Sequence, residues 1–176
     1  HNLLNQIILE DKTNSPGKIL NILDKRVSNA LNKRGSKEET NDGMDMVICV
    51  LDKANNKLAY AGANRPLIIR RGAELIELKP DKHAIGGIQD SSCKLFSQQE
   101  QSIQKDDVLY MFSDGYCDQF GGPRGKKFKY KQLASSILSI AEFSLEEQKI
   151  ILSDTLQSWQ GNLEQVDDVC VIGIKI

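Results

Sequence analysis

The spacing of apolar residues changes twice along this chain, and those changes limit the folds that it can adopt. Residues 3–8 place their apolar side chains on one face of a helix. A second helix is predicted to begin at Ser15 and Pro16, which are a typical N-cap and first helical residue. Residues 35–41 are polar and begin with glycine, so we expect an exposed, mobile loop there.

Short apolar runs separated by turn residues follow these helices, as in a block of antiparallel strands. Residues 44–51 are nearly all apolar, which predicts a central strand that is covered on both faces. The turn at 53–56 returns the chain as residues 58–61, so the two runs are predicted to form a hairpin. Further strands are predicted at 66–70, 75–78, 93–97, 108–112 and 169–176, the first two as a second hairpin.

Helical spacing returns in the last third of the chain. Residues 130–141 carry apolar side chains at helical intervals, and Ser144 with Glu147 is a capping box for a helix that runs to about Trp159. Helices on both sides of a block of antiparallel strands favour an α+β fold in which helix layers cover the sheet.

Composition limits the class of protein further. At 176 residues the chain has the length of one ordinary domain, so we predict a single domain over residues 1–176. Its 23 basic and 24 acidic residues give a formal net charge of -1, with no general attraction to nucleic acid or anionic membranes. No apolar run approaches the roughly 18 residues of a membrane span. The four cysteines include no C-x-x-C pair, which suits reduced thiols in the cytoplasm.

The first candidate for chemistry is the sequence Ser113-Asp114-Gly115, which directly follows an apolar strand. A carboxylate at the end of a buried strand is held rigidly, and glycine lets the backbone turn without covering it. Asp114 can therefore present an oxygen ligand to a metal ion. The alternative is that Asp-Gly only forms a turn, because this dipeptide is common in turns.

The second candidate is the pair Asp167 and Asp168, which precedes the last apolar run. Alternation directs their side chains to opposite sides, so at most one of them points into a given site. A buried carboxylate is costly unless it is paired or solvated, and a solvated strand start is the alternative. Together with Asp114 they form a hard-oxygen set with no histidine or cysteine nearby, which favours Mg²⁺ or Mn²⁺ over zinc.

The order of the motifs resembles the metal-dependent PPM (PP2C-type) serine/threonine phosphatases, and among them the bacterial SpoIIE/RsbU-like branch. The matching segments are residues 42–46, 61–66, 112–116, 119–122, 126–128 and 166–169. The resemblance runs from the first helix to the last strand. It implies an α+β fold with two antiparallel β-sheets sandwiched between helix layers, here lacking its first strands.

The resemblance also implies a chemistry and a set of site residues. Members of this family hydrolyse a phosphomonoester with water bound between two Mg²⁺ or Mn²⁺ ions, and they form no phosphoenzyme. By motif, Asp114 and Asp167 would be metal ligands in this chain. Asp168, Gly115 and Asn64 would take supporting positions.

The chain also departs from the family pattern. The family's first metal-binding acid, and an Asp-Gly that helps to hold both ions, belong to two N-terminal strands that would precede His1. The first helix begins at His1 without an N-cap or an initiating methionine, so we interpret the chain as a fragment. Ala63 stands where eukaryotic relatives carry an acid for a third metal. We therefore expect this chain by itself to be inactive, with dimerisation through an exposed strand edge or loosely ordered neighbouring segments.

The resemblance implies that the intact protein would be a phosphatase output domain in bacterial signal transduction that acts on phosphoserine or phosphothreonine. Its partner would be a phosphorylated protein substrate, by family analogy an anti-sigma-factor antagonist of the STAS type. The alternative is a non-catalytic pseudophosphatase or regulatory binding module. We expect no contact with nucleic acid or membrane.

Three other features have simpler explanations. His83 lies in a polar stretch and is expected at the surface rather than as a proton donor. Gly86 and Gly87 lack the strand and helix that surround a phosphate-binding loop. A run of basic residues after Asp114 is expected to be a solvated face, with an anionic docking surface as the alternative. These residues are Arg124, Lys126, Lys127, Lys129 and Lys131.

Overall fold

The computed structural model describes residues 2–9, 12–32, 43–86 and 95–176. The helices in these ranges are α1 (Asn2–Leu9), α2 (Pro16–Asn32), α3 (Asp114–Asp118), α4 (Tyr130–Ser139) and α5 (Leu145–Gln160). The strands are β1 (Met46–Asp52), β2 (Lys57–Ala63), β3 (Leu67–Arg71), β4 (Glu74–Leu78), β5 (Gln99–Ser102), β6 (Val108–Phe112), β7 (Phe120–Gly121), β8 (Lys126–Lys127) and β9 (Val171–Lys175). The chain divides into two compact units, one of His1–Leu67 with Leu78–Ile103 and one of Ile68–Glu77 with Gln104–Ile176.

The first unit is built on the predicted hairpin of β1 and β2. Among the described residues its sheet has the order β1-β2-β5, and both pairings are antiparallel. The hairpin register places Met46 opposite Ala63 and Asp52 opposite Lys57. β2 is the inner strand and is largely buried, and α2 packs against it. The core between helices and sheet contains Ile7, Ile19, Leu20, Leu23, Ala61, Ala63, Ile85 and Phe96.

Two polar side chains of α2 bind the backbone of the segments packed beside it. Asn21 Oδ1 accepts a hydrogen bond from the Phe96 N–H at 2.9 Å, and its Nδ2 donates to the Phe96 carbonyl at 3.1 Å. Asp24 is 7% exposed and accepts the Gly86 N–H at 2.8 Å. Because a buried polar group is costly without a partner, these bonds explain why α2 tolerates polar residues on its packed side.

The second unit is built around β6. Its described strands form a sheet in the order β4-β3-β6-β9, and β7 pairs separately with β8. β6 runs antiparallel to both neighbours, and Phe112 at its end lies opposite Val171 at the start of β9. α4 and α5 complete the core, in which Leu133, Ile137 and Leu152 are buried. β6 is therefore the inner, mostly buried strand from which the Asp114 segment continues.

Asp107 fixes the beginning of β6. Its side chain is 1% exposed and accepts two hydrogen bonds from Arg71, at 3.0 and 2.7 Å, and one from the Gln104 N–H at 2.8 Å. Burial alone would raise the pKa of Asp107, but the hydrogen bonds from Arg71 and Gln104 outweigh burial and hold the pKa below its ordinary value. The Asp107 carbonyl also accepts the Ile176 N–H, which joins the end of β9 to the same point.

The capping box predicted for α5 is present. Ser144 Oγ accepts the Glu147 N–H at 3.3 Å, and Glu147 Oε2 accepts the Ser144 N–H at 2.9 Å. The hydrogen bonds from Ser144 lower the pKa of Glu147, because they favour its charged form. The described part of the chain thus combines helices with antiparallel sheets, which is the predicted α+β class. The single-domain assignment stays a prediction.

Some strand predictions are wrong in position. β1 was expected to be central, but it is an outer strand of the described sheet and its side chains are mostly half-buried. An apolar run reports burial but does not identify the neighbours of a strand. Similarly, the last strand begins at Val171 rather than at residue 169, and β9 is the outer strand of its described sheet.

The strand predicted at 93–97 is also misplaced. Residues 95–98 are not in a strand, and β5 begins at Gln99. Its sequence is Gln-Glu-Gln-Ser, so a search for apolar runs overlooks it. An outer strand can be polar because its stability comes from backbone pairing with β2 rather than from side-chain burial. Residues 93–94 and the predicted loop at 35–41 lie outside the described residues.

We predict that Asp107→Asn destabilises the second unit by about 2 kcal/mol at pH 7, because charged hydrogen bonds to Arg71 are lost. The lowered pKa of Asp107 means that its contribution is complete above its unfolded pKa of about 3.9 and is lost as pH falls through the folded value. The difference between wild type and variant should therefore shrink below about pH 4. Urea denaturation followed by Trp159 fluorescence at pH 7 and pH 3 measures it, and an equal difference at both pH values would contradict this explanation.

Candidate metal centre

The candidate site begins where β6 ends. Ser113 is the N-cap residue of the short helix α3, and Asp114 is the first residue of that helix. The Asp114 side chain is half-buried, whereas Gly115 behind it is buried. The carboxylate of Asp114 is therefore attached to a strand end that core packing holds in place, as the sequence predicted.

Ser113 joins this strand end to the segment that precedes β9. Its hydroxyl donates a hydrogen bond to the Asp168 carbonyl at 2.7 Å and accepts the Cys170 N–H at 2.9 Å. Its own backbone N–H donates to the Cys170 carbonyl at 3.0 Å. We call these three hydrogen bonds the Ser113 bridge. Sequence reasoning missed this role, because Asp168 and Cys170 are more than 50 residues away from Ser113 in sequence and no local pattern connects them.

Gly115 allows the two segments to touch. A Cβ atom at this position would lie 2.4 Å from the Asp168 carbonyl oxygen and 3.1 Å from that of Asp167. Real Cβ atoms do not approach backbone oxygen so closely, so only glycine fits here without a shift of the backbone. The first turn of α3 thus packs directly on the backbone of Asp167 and Asp168. A supporting role of Gly115 in a metal site stays a prediction.

Asp167 and Asp168 are both exposed and lie before β9 rather than within it. Asp167 Oδ1 accepts the Asp168 N–H at 2.7 Å, and the Asp167 carbonyl accepts a hydrogen bond from the Gln165 side chain at 2.7 Å. These bonds fix the backbone around Asp167. The segments of Asp114 and Asp167 are therefore neighbours, but the metal-binding roles of the two acids stay predictions.

The donor chemistry of these residues fits a hard divalent cation. Asp114, Asp167 and Asp168 offer carboxylate oxygens, which Mg²⁺ and Mn²⁺ prefer. Within the described ranges, no three His, Cys, Asp or Glu side chains are grouped so that they could hold a metal ion together. Binding of a metal ion by Asp114 and Asp167 stays a prediction.

Asn64 belongs to the first unit. It follows β2 with a φ of 56°, a left-handed conformation that asparagine tolerates better than most residues. Its Nδ2 donates to Asp45 Oδ1 at 2.8 Å, and the same carboxylate binds Arg65. Its backbone N–H donates to the Asp81 carbonyl at 2.9 Å. These contacts hold the turn after β2, and a role of Asn64 in the site stays a prediction.

Other groups with reactive potential are placed differently. His83 is half-buried and stacks on Phe96 with a centroid distance of 4.2 Å, so the predicted surface position is wrong. Among the described cysteines, Cys49, Cys117 and Cys170 form no disulfide. Burial raises the pKa of Cys49 to about 12, which removes it as a nucleophile at neutral pH.

The whole chain, residues 1–176, matches the Stage II sporulation protein E (SpoIIE) family, and the chain belongs to that family. Members of this family include PP2C-type phosphatase domains, which confirms the resemblance found in the motifs. No curated protein sequence matches the chain. None of the helices in the described ranges combines the length and apolar character that crossing a membrane requires.

Solved structures support the same fold. The SiaA-PP2C domain of Pseudomonas aeruginosa is 26% identical to this chain, with a TM-score of 0.87 over 99% of this chain and 66% of that chain. The Mn-presoaked SpoIIE phosphatase domain of Bacillus subtilis is 15% identical, with a TM-score of 0.60 over 99% and 72%. The RsbU and RsbW domains of Rv1364c from Mycobacterium tuberculosis are 18% identical, with a TM-score of 0.66 over 99% and 45%. The chain thus has the PP2C fold and spans slightly less than two thirds of the SiaA structure.

We predict that Gly115→Ala lowers the free energy of unfolding by about 2 kcal/mol, because the new methyl group forces the Asp168 backbone away. Gly173→Ala is the matched control, since its Cβ would make ordinary van der Waals contacts with a Leu145 methyl group at 3.4 Å and with the Tyr110 ring at 3.6 Å. Urea denaturation of both variants measures the difference. Equal stability of the two variants would show that α3 and the Asp167 segment do not pack as closely as described.

Proposed function

We propose that this chain belongs to the phosphatase output domain of a bacterial signalling protein, which hydrolyses phosphoserine or phosphothreonine in a partner protein. The observation that carries the proposal is the Ser113 bridge, which brings the backbone of the Asp114 and Asp167 segments together at the end of a buried strand. Because the chain belongs to the SpoIIE family, we interpret this arrangement as part of a phosphatase metal site.

Asp114 and Asp167 are the proposed ligands of Mg²⁺ or Mn²⁺, two ions in the intact domain. When bound, such ions lower the pKa of water and neutralise charge on the phosphoryl group during transfer. The Mn-presoaked SpoIIE structure supports the choice of metal, because it shows that a relative with the same fold has been studied with Mn²⁺. Asp168, Gly115 and Asn64 are the proposed supporting residues.

The residues of this chain have distinct tasks in the proposed reaction. Ser113 positions the Asp167 segment through its hydroxyl, and Gly115 lets that segment lie against α3. Asp114 and Asp167 carry carboxylates on neighbouring segments, and these carboxylates would supply oxygen ligands to a divalent cation. Because core packing holds the strand end in place, the Asp114 carboxylate needs little reorganisation to bind a metal ion.

The complete activity belongs to the intact domain. The parts that match this chain make up 66% of the SiaA structure and 72% of the SpoIIE structure, so those domains contain further residues that can provide ligands. We therefore propose that the 176-residue chain by itself is inactive. Cysteines without disulfides are typical of a reducing compartment, so we propose a cytoplasmic location for the domain.

The proposed substrate is a phosphorylated regulatory protein. The structural relatives include the RsbU and RsbW domains of one Mycobacterium tuberculosis protein and PppA, a key regulatory component of a secretion system in Pseudomonas aeruginosa. By analogy with the RsbU-like branch, we propose an anti-sigma-factor antagonist of the STAS type as the substrate class. An assay with a phosphorylated protein of this type as substrate tests this choice.

We predict that Asp114→Asn and Asp167→Asn each reduce kcat of the full-length protein at least about 10³-fold while the fold survives, because an amide cannot replace the carboxylate charge at the metal. Hydrolysis of p-nitrophenyl phosphate with Mn²⁺ measures kcat, and circular dichroism measures folding. Asp154→Asn is the matched control, since Asp154 is an exposed acid on α5.

Near-normal turnover in either site variant would contradict the proposed mechanism. A folded wild-type protein that hydrolyses neither p-nitrophenyl phosphate nor a phosphoserine peptide would instead support the pseudophosphatase alternative. The isolated 176-residue chain provides a further comparison. We expect it to show no Mn²⁺-dependent hydrolysis and no metal binding at micromolar concentration by isothermal titration, and tight binding would show that it contains a complete ligand set.

A further inference from the structure

The basic residues that follow α3 lie on and beside a small hairpin. β7 and β8 are two residues each, with Phe120 opposite Lys127 and Gly121 opposite Lys126, and residues 122–125 form the turn. All five basic side chains of this stretch are exposed. We call them the basic surface: Arg124, Lys126, Lys127, Lys129 and Lys131.

The hairpin is held firmly against α5. The Gly122 N–H donates to the Trp159 carbonyl at 2.7 Å, and Trp159 Nε1 donates to the Gln119 carbonyl at 3.1 Å. A Cβ at Gly121 would lie 1.9 Å from the Trp159 carbonyl oxygen, so the two backbones are in direct contact. Phe128 is buried and packs edge-on against Trp159. The basic surface is therefore displayed by a rigid support, which reduces the entropy lost when a partner binds.

Among the described residues, only one of these five basic side chains has an ion-pair partner. Lys127 pairs with Asp118 at 2.9 Å, but in the part of the chain that the structure describes the other four basic side chains form no ion pair. The chain as a whole carries a net charge of -1. The excess of positive charge is thus confined to the basic surface. It would attract a short anionic segment, whereas a protein with a high net positive charge would attract any polyanion.

The basic surface also lies close to the proposed metal ligands. α3 connects Asp114 to Asp118 and is only five residues long, about 7.5 Å along its axis. The Lys129 N–H donates to the Cys117 carbonyl at 2.7 Å, which joins the far side of the hairpin to the same helix. A peptide whose phosphoryl group lies at Asp114 can therefore reach the basic surface with residues a few positions away, since an extended chain spans about 3.3 Å per residue.

We propose that the basic surface binds acidic residues that flank the phosphorylated residue of the protein substrate. This inference rests on the proposed phosphatase function and adds a substrate preference to it. The phosphoryl group alone cannot give this preference, because every phosphoserine substrate carries it. Acidic flanking residues form exposed charge pairs with the basic surface, and such pairs raise the rate of encounter and fix the orientation of the substrate.

The first experiment compares two phosphoserine peptides with the full-length protein and Mn²⁺. One peptide carries four glutamates around the phosphoserine, and the other carries glutamines at the same positions. We expect kcat/KM for the acidic peptide to be about tenfold higher at 50 mM NaCl, and this advantage to fall below about twofold at 500 mM as salt screens exposed charges. No preference at low salt, or a preference that salt does not reduce, would overturn the proposal.

The second experiment tests the residues themselves. The triple variant Arg124→Gln, Lys126→Gln and Lys131→Gln leaves Lys127 in its ion pair and Lys129 in its left-handed conformation, with φ of 73°. We expect the preference for the acidic peptide to fall at least about fivefold in this variant. The control variant changes Lys18, Lys25 and Lys53, three exposed lysines of the first unit, to glutamine and should keep the preference. Equal loss in both variants would overturn the assignment to the basic surface.

A failure of the phosphatase function can be told apart from a failure of this inference. If wild type hydrolyses neither peptide, the proposed function fails, and fluorescence anisotropy of the labelled acidic peptide then decides the docking question. Weaker binding to the triple variant than to wild type supports the basic surface, and equal or absent binding overturns it.

A 12-nucleotide RNA that binds wild type more tightly than the acidic peptide would also overturn the proposal in favour of nucleic acid. If the triple variant does not fold, the salt dependence of wild type decides the outcome.

Discussion

The hydroxyl group of Ser113 makes hydrogen bonds to the backbone on both sides of Val169, at the Asp168 carbonyl and the Cys170 N–H. These bonds extend the pairing of β6 and β9 beyond Phe112 and Val171, where the strands themselves meet. They hold the backbone of one acidic segment beside the start of the other. The candidate site depends on this arrangement. If both acidic segments were flexible, ordering them around a cation would cost more conformational entropy.

The same helix that begins at Asp114 carries the polypeptide to the basic surface. Asp114 lies at the first residue of α3, and the basic surface follows the last. In our proposal, Asp114 binds metal and the basic surface attracts the substrate, a short distance apart in the second unit. The contact of the Gly121 backbone with Trp159, and the hydrogen bond from the Gly122 N–H, hold the hairpin against α5. The second unit therefore holds both the proposed chemistry and the proposed preference for acidic substrates.

The sequence predicted the elements with strong local signals and missed those that depend on distant neighbours. The hairpin of β1 and β2, the cap at Ser144 and the strand β6 have local turn, capping or apolar patterns, and all are present. β5 was missed because its polar residues are stabilised only by pairing with β2. In the site, Asp114 stood out by its place after an apolar strand. The role of Ser113 could not be predicted, because its partners are more than 50 residues away in sequence.

The most direct test of the account is the crystal structure of the full-length phosphatase domain with Mn²⁺, located by its anomalous scattering. We expect carboxylate oxygens of Asp114 and Asp167 both to lie at ligand distance from Mn²⁺ or from a water between two ions, about 2.0–2.6 Å for direct ligands. Carboxylates of Asp114 and Asp167 more than about 10 Å apart, or Mn²⁺ bound without either residue, would contradict it, because a binuclear site could not include both.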